Sequence, residues 1–451
     1  MRLILLFLAL FCVLSVPVAS QTSSNIIDID TRYGEGSNPV NFTLFKNKVY
    51  FYATDSLHGT ELWVTDGNTA SIVADINPGV GSCLYNYNRS TSIVVRYCMQ
   101  VIGDTLYFAA TDDLSINPSI YKYDGINPPS IALDLRNMTY QSFSAPGKFT
   151  NVNNVLYFVA DTSSGSSAII SYEPITGKGR IVNTVKVYPN TPLIPWGNKL
   201  LFCGEDSLAG FEIHMYNPAT RATKMMVDYT IPGNTTLLFY RIFDNRIYLK
   251  AGNLNGAQLY EFDGDTTIKN ISLDSVEGTS LQQLQNTVNP FCFYNHELYY
   301  SAIKNGKRHI YSYNPATGKK TYRIPVKLYP GAVYLVAYKG KLYYADSSFS
   351  VYDFNSAVTK LTDLYQLPAT VRLSLNHYIE YKDVLITAAF VDSSRDVELV
   401  VLHDSTLSIK DIHEEISTTL YPNPTARDAN LDITLKEAQS LFLQVLDING
   451  R

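Results

Sequence analysis

Apolar residues along the chain fall in short runs rich in Tyr, Phe, Leu, Ile and Val, each bounded by Gly, Asn, Asp or Pro. Runs of that length between turn formers predict β-strands, because a helix needs a longer stretch with a 3.6-residue period. One run recurs as NKVYFYA (from Asn47), GDTLYFAA (Gly103), NNVLYFVA (Asn153) and GNKLLFCG (Gly197). It continues as DNRIYLKA (Asp244), NHELYYSA (Asn295), KGKLYYAD (Lys339) and KDVLITAA (Lys382). Its aliphatic anchors are Val49, Leu106, Leu156, Leu200, Ile247, Leu298, Leu342 and Leu385, spaced 43 to 57 residues apart.

A second run follows each copy of the first. ELWVTDG (Glu61), SIYKYDG (Ser119), AIISYEP (Ala168) and EIHMYNP (Glu212) are succeeded by QLYEFDG (Gln258), HIYSYNP (His309), SVYDFNS (Ser350) and ELVVLHD (Glu398). Asp-Gly or Asn-Pro-Ala-Thr then marks a turn, since Gly tolerates positive φ and Pro presets a turn angle. A β-branched strand comes after it, as in ASIVADI from Ala70, and a short strand such as VNFTLF (Val40) precedes each unit. Four strands per unit and units of about 48 residues predict an all-β β-propeller. Eight four-stranded blades fit the count, with seven as the alternative. Two β-sandwiches would also supply many short strands, but without this regular unit. NIIDID (Asn25 to Asp30) reads as the last strand of a unit whose other strands lie elsewhere, because DIDTRYGEGSNP mirrors DINPGVGS at Asp75. Pairing it with the final blade would close the ring.

The ends of the chain change the picture. Arg2, the apolar run LILLFLALFCVL and the small residues before Gln21 have the form of a secretory signal peptide, residues 1–20, with the propeller at 21–413. The run is shorter than the roughly 20 apolar residues of a membrane span, and no other segment approaches it. A net charge of −5 over 451 residues gives no footprint for nucleic acid or an anionic membrane. Charged residues are only 17% of the chain, against about 25% in typical domains. Asn, Ser, Thr and the 34 tyrosines take their surface role, as is common in extracellular β-proteins.

Export permits disulfides. Cys83 and Cys98 bracket one long insertion and are expected to pair. Cys203 and Cys292 sit in apolar strands, where buried thiols are the plainer expectation. No Cys-x-x-Cys or Cys/His spacing suggests zinc, and DIDTRYGEG (Asp28) only weakly resembles a calcium loop. No cofactor is implied. No His-Glu-x-x-His pair or Gly-x-Ser-x-Gly elbow occurs. His214 and His309 fall inside second-run strands, as ordinary sheet positions. Asp55, Asp112, Asp113, Asp161, Glu205 and Asp206 stand where a first-run strand meets its loop. Acids so placed serve propeller glycosidases, yet repetition through several blades favours turn capping. Repetition gives Glu61, Glu212 and Glu398 a structural role too. Most tyrosines hold fixed strand positions and are expected to pack between blades. Tyr85, Tyr87 and Tyr97 lie in the insertion outside the repeat, and are the candidate ligand residues. Asn-x-Ser/Thr sequons occur at Asn41, Asn88, Asn137, Asn234 and Asn270.

GTELWVTDGN (Gly59 to Asn68) resembles the Glu-Leu-Trp-x-Ser/Thr-Asp-Gly-Thr repeats of secreted bacterial propeller proteins. The likeness is close in this first copy and decays in later ones. YNPATGK at Tyr313 is more similar to a kelch-type or quinoprotein-type turn, although the Trp docking motifs of quinoprotein enzymes are missing, Trp63 and Trp196 being the only tryptophans. This resemblance covers residues 25 to 413 and implies a fold, not an activity. Beyond it, Tyr421-Pro422-Asn423-Pro424 and the strand ending Asp447-Ile448-Asn449-Gly450-Arg451 resemble the start of the C-terminal sorting domain of type IX secretion substrates from Bacteroidetes. That resemblance makes 418–451 the first part of a β-sandwich sorting domain cut short at Arg451. It implies export by the type IX machinery, then release or attachment at the cell surface. The expected function is a non-enzymatic module that binds a glycan, a matrix polymer or a protein. The alternative is a propeller-fold glycoside hydrolase or lyase with carboxylates at the channel mouth.

Overall fold

A computed structural model describes residues 22–435 apart from several segments, the four longest being 85–97, 273–290, 354–364 and 405–415. Eight antiparallel units follow one another at 40–74, 99–133, 143–181, 194–227, 236–270, 291–325, 334–353 and 372–404. We number them blades 1 to 8. Blade 1 shows the plan: Val40–Phe45, Lys48–Asp55, Gly59–Thr65 and Ala70–Ala74 pair in chain order, from an inner to an outer strand. No α-helix occurs among the described residues, only the 3₁₀ turn Leu135–Asn137. No helix there is long and apolar enough to cross a membrane.

Turn chemistry sets the register of each blade. Lys46-Asn47, Asn153-Asn154, Asp244-Asn245 and Asn295-His296 all hold positive φ at both positions. That is the type I′ geometry whose twist matches the flanking strands. In the next turn, Asp66 Oδ1 accepts the N–H groups of Asn68 and Thr69, and Gly67 supplies φ +96°. Asn314 plays the aspartate's part in blade 6, accepting the Thr317 N–H.

The core lies between blades. Every residue from Val49 to Asp55 is buried, because a strand sends alternate side chains to opposite faces and both faces meet a neighbouring blade. Val49, Phe51 and Trp63 of blade 1 share an apolar cluster with Tyr381, Ile386 and Leu399 of blade 8. Another cluster runs through blades 1, 2 and 3, and others join 3 to 4, 4 to 5, 5 to 6, 6 to 7 and 7 to 8. The chain of contacts is therefore a closed ring of eight.

The N-terminus completes that ring. Thr22–Ile27 pairs with Val397–Asp404, giving blade 8 the sheet order Thr22–Ile27, Val397–Asp404, Val384–Phe390, Arg372–Tyr381. The expected closure by the N-terminal strand is thus present.

Two details differ from the plain four-strand repeat. Blade 7 has three described strands. Blades 3 and 4 are one continuous sheet, joined by Lys186–Val187, which pairs with Ser167 on one side and with Gly204 and Glu205 on the other. A two-residue strand has no periodicity to read, so the sequence does not announce it. The propeller forms the compact unit Ser24–Leu402, and the C-terminal residues belong to a second unit. In the latter, Ile416–Tyr421 pairs with Asn430–Leu435 as an antiparallel hairpin, so the expected strand at Leu431 to Leu435 is found.

Candidate functional site

The loop that carries the chain from one blade to the next is held by the same device in two places. Glu61, fully buried at the start of a third strand, accepts the Ile76 N–H at 3.0 Å and the Asn77 N–H at 3.1 Å. Glu398 holds the equivalent position in blade 8 and accepts the Ile29 N–H at 3.3 Å and the Ser37 N–H at 2.8 Å. Ile29 and Ile76 occupy matching places in the two loop sequences that mirror each other. Each loop then reaches across to the next blade: Thr54 N–H donates to the Ser37 carbonyl, and Thr111 N–H to that of Cys83, both at 2.8 Å. Glu212 is buried at the same strand position. Glu61 and Glu398 are anchors, as repetition suggested.

Burial pushes the Glu61 carboxyl up to about 8, against the pull of the Ile76 and Asn77 amides. The folded protein then holds a proton that the unfolded chain releases near pH 4.5, so stability should fall as pH rises from about 4.5 through 8. The loss should be on the order of 5 kcal/mol. Denaturant midpoints taken across that window, wild type minus Glu61→Gln, should slope downward. A flat difference would refute it.

Asp55 caps its own turn. Asp55 Oδ1 accepts the N–H groups of Leu57 (3.1 Å) and His58 (2.6 Å), while Oδ2 meets His58 Nδ1 at 2.7 Å. This pairing raises the His58 pKa, against the opposing cost of desolvation. Asp161 accepts the Ser167 hydroxyl at 3.0 Å, Asp112 faces Arg136 at 3.5 Å, and Glu205 pairs with Lys186 at 2.6 Å. The side chains of Asp113, Asp206 and His309 lie outside the described residues. His214 is buried against Phe202, with Nδ1 3.0 Å from the Glu212 carbonyl, as a sheet position requires.

Tyrosines do pack between blades. Tyr50 meets Tyr123 at 5.8 Å between ring centres, Tyr107 meets Tyr172 at 5.8 Å and Tyr157 meets Tyr216 at 6.3 Å. Each pair joins the second strand of one blade to the third strand of the next. Asn41 is buried, with its amide on the Cys98 sulfur at 3.3 Å, which removes that sequon as a surface acceptor.

What the loop face of blade 1 presents to solvent is a small mixed surface. Gly59 abuts the carbonyls of Val80 and Gly81, so the turn after Asp55 packs against the loop that carries Val80. Leu57 is 70% and Val80 80% exposed. Arg32 sits near the same Asp55 and binds Asp30 through two nitrogens, at 2.9 and 2.7 Å. The sequence did not single out Arg32, Leu57 or Val80, because nothing local distinguishes them. Tyr85, Tyr87 and Tyr97 lie outside the described residues, as do Pro422, Asn423, Pro424, Asp447, Gly450 and Arg451. Tyr421 ends the first strand of the C-terminal hairpin.

Cys83 and Cys98 are both buried in the blade 1–2 core, but the expected disulfide is not formed: each carries a thiol. Separate polar partners hold the two sulfurs. The Cys83 thiol is hydrogen-bonded to Glu61, and the Cys98 sulfur lies near Asn41 and 3.8 Å from the Tyr52 hydroxyl. Among the described residues no cluster of His, Cys, Asp or Glu could hold a metal ion.

Comparison with known proteins adds a likeness of shape. The chain matches no family model and no curated protein. Among solved structures it is similar to an oligogalacturonate lyase in complex with manganese, at 11% identity and TM-score 0.43, over 82% of this chain and 99% of that one. A puromycin-hydrolyzing peptidase from Mycobacterium tuberculosis matches at 11% identity and TM-score 0.45, over 82% of this chain and 61% of that one. TolB from Acinetobacter baumannii matches at 13% identity and TM-score 0.29, over 67% of this chain and 60% of that one. The propeller assignment rests on strand order and the ring of contacts, not on these.

Proposed function

We propose that the protein is an exported propeller, secreted or held at the cell surface, that binds a glycan, a matrix polymer or another protein without transforming it. The observation that carries this reading is the use made of the repeated acids. Glu61 and Glu398 hold backbone amides, and Asp55 holds its own turn and His58. These groups stiffen the loops instead of projecting from them. A rigid scaffold that displays loops is the usual basis of a binding face. Leu57 and Val80 offer apolar contact, and the His58 and Arg32 pairs offer hydrogen bonding beside it. A sugar ring, apolar on one face and hydroxylated at its rim, suits that combination. The signal-like N-terminus and the resemblance of the C-terminus to a type IX sorting domain support export by that machinery.

A thermal-shift screen of the purified full chain against polysaccharide fragments, calcium and a chelator tests the reading. A ligand at 100 times its dissociation constant should stabilise the fold by about 2.7 kcal/mol. One glycan class should shift the curve and remain intact on prolonged incubation. Cleavage of that glycan would replace the binder with an enzyme. A flat screen would dismiss glycans and leave a protein partner, to be sought at the same face.

A further inference from the structure

We propose that Cys83 and Cys98 form a redox site, a buried dithiol that oxidises to a disulfide and locks the crossing from blade 1 to blade 2. The geometry comes from the backbone. The Ala109 N–H donates to the Cys98 carbonyl at 3.1 Å, and the Thr111 N–H donates to the Cys83 carbonyl at 2.8 Å. Residues two apart on a strand point their N–H groups the same way, roughly 7 Å from one another. Both cysteines are therefore stationed side by side along one edge of the second strand of blade 2. Carried over to the Cα atoms, that spacing lies just past the roughly 6.8 Å a disulfide usually spans, so bonding asks for side-chain rotation and a small backbone approach.

The surroundings favour the oxidised state. The two residues are 0% and 2% exposed and share one apolar cluster. Burial, the Glu61 carboxylate and the Cys98 sulfur all oppose ionisation of Cys83. The Tyr52 hydroxyl, itself buried, feels both sulfurs. A dithiol leaves two S–H groups to be satisfied in this space, one by Glu61 and one near Tyr52, whereas a disulfide has no proton to place. Formation is thiol–disulfide exchange with an external disulfide such as oxidised glutathione. One protein thiolate attacks that disulfide and releases a thiolate of the reagent, forming a mixed disulfide. The second protein thiolate then attacks the protein sulfur and expels the other reagent thiolate. Two S–H bonds of the protein and one S–S bond of the reagent are exchanged for one protein S–S bond and two reagent thiols. The reaction needs local opening, since neither sulfur is reachable from solvent.

The full chain should be incubated with oxidised glutathione, quenched in acid, digested without reductant and mapped by mass. A linked peptide containing Cys83 and Cys98 is expected. The melting temperature should rise by about 5 °C and return on adding reductant. The Cys83→Ser/Cys98→Ser protein should show neither change. Glutathione adducts that never resolve to the linked peptide would overturn the proposal, as would unreacted thiols in native protein whose denatured control reacts fully. A linked peptide with no reductant-sensitive change in melting would overturn the locking role.

Discussion

Glu398→Ala should cost on the order of 4 kcal/mol, while Glu205→Ala should cost less than about 1 kcal/mol, although both remove one glutamate from a blade. Glu398 is buried, and its two oxygens hold the Ile29 N–H, the Ser37 N–H and the Ser37 hydroxyl. Alanine would strand those donors in a space closed to water, at about 1 to 3 kcal/mol for each one left unsatisfied. The donors belong to the N-terminal segment and the acceptor to the last blade, so the loss falls on the seam of the ring. Glu205 forms a half-exposed ion pair with Lys186 at 2.6 Å, which water can replace. Denaturant titration of both variants provides the comparison. The Glu398 variant should also lose protection from amide exchange first at Thr22–Ile27. Similar midpoints for the two variants would mean that Glu398 does not carry the closure.

Gly59→Ala should destabilise the fold by more than about 3 kcal/mol, against roughly 1 kcal/mol for Gly103→Ala. Both glycines hold positive φ, +69° and +56°. Only Gly59 is also crowded. A Cβ there would fall 2.0 Å from the Gly81 carbonyl oxygen and 2.9 Å from that of Val80, and both are backbone atoms with no rotamer to yield. At Gly103 a Cβ would meet nothing within 4 Å, so backbone strain is the whole cost. Equilibrium unfolding of the two variants separates crowding from strain. Equal losses would show that the blade-crossing loop gives way. The same substitution bears on the proposed binding face, because Gly59 is where the turn after Asp55 meets the loop that carries Val80.

Several features of this protein are determined by sequence alone. The four-strand unit and its register follow from short apolar runs between turns whose residues accept positive φ. Both signals are local, and the type I′ pairs such as Lys46-Asn47 and Asn153-Asn154 write them directly into the chain. The N-terminal strand was recognisable for a related reason: its continuation copies the loop after blade 1, down to the isoleucine whose N–H meets a buried glutamate. Packing of the tyrosines between blades followed from their fixed strand positions. What only the tertiary structure decided is which groups meet across long separations. Glu398 and Ser37 are 361 residues apart in sequence and in direct contact. Cys83 and Cys98 bracket an insertion, as their spacing shows, yet whether they are bonded depends on Glu61, Asn41 and Tyr52 standing between the two states. Gly59 meets the Val80 and Gly81 carbonyls because a blade-crossing loop packs over the turn after Asp55. A continuous apolar run marks a strand buried on both faces, because burial is set residue by residue. A site made of loops depends on which loops are brought together, and no local pattern encodes that.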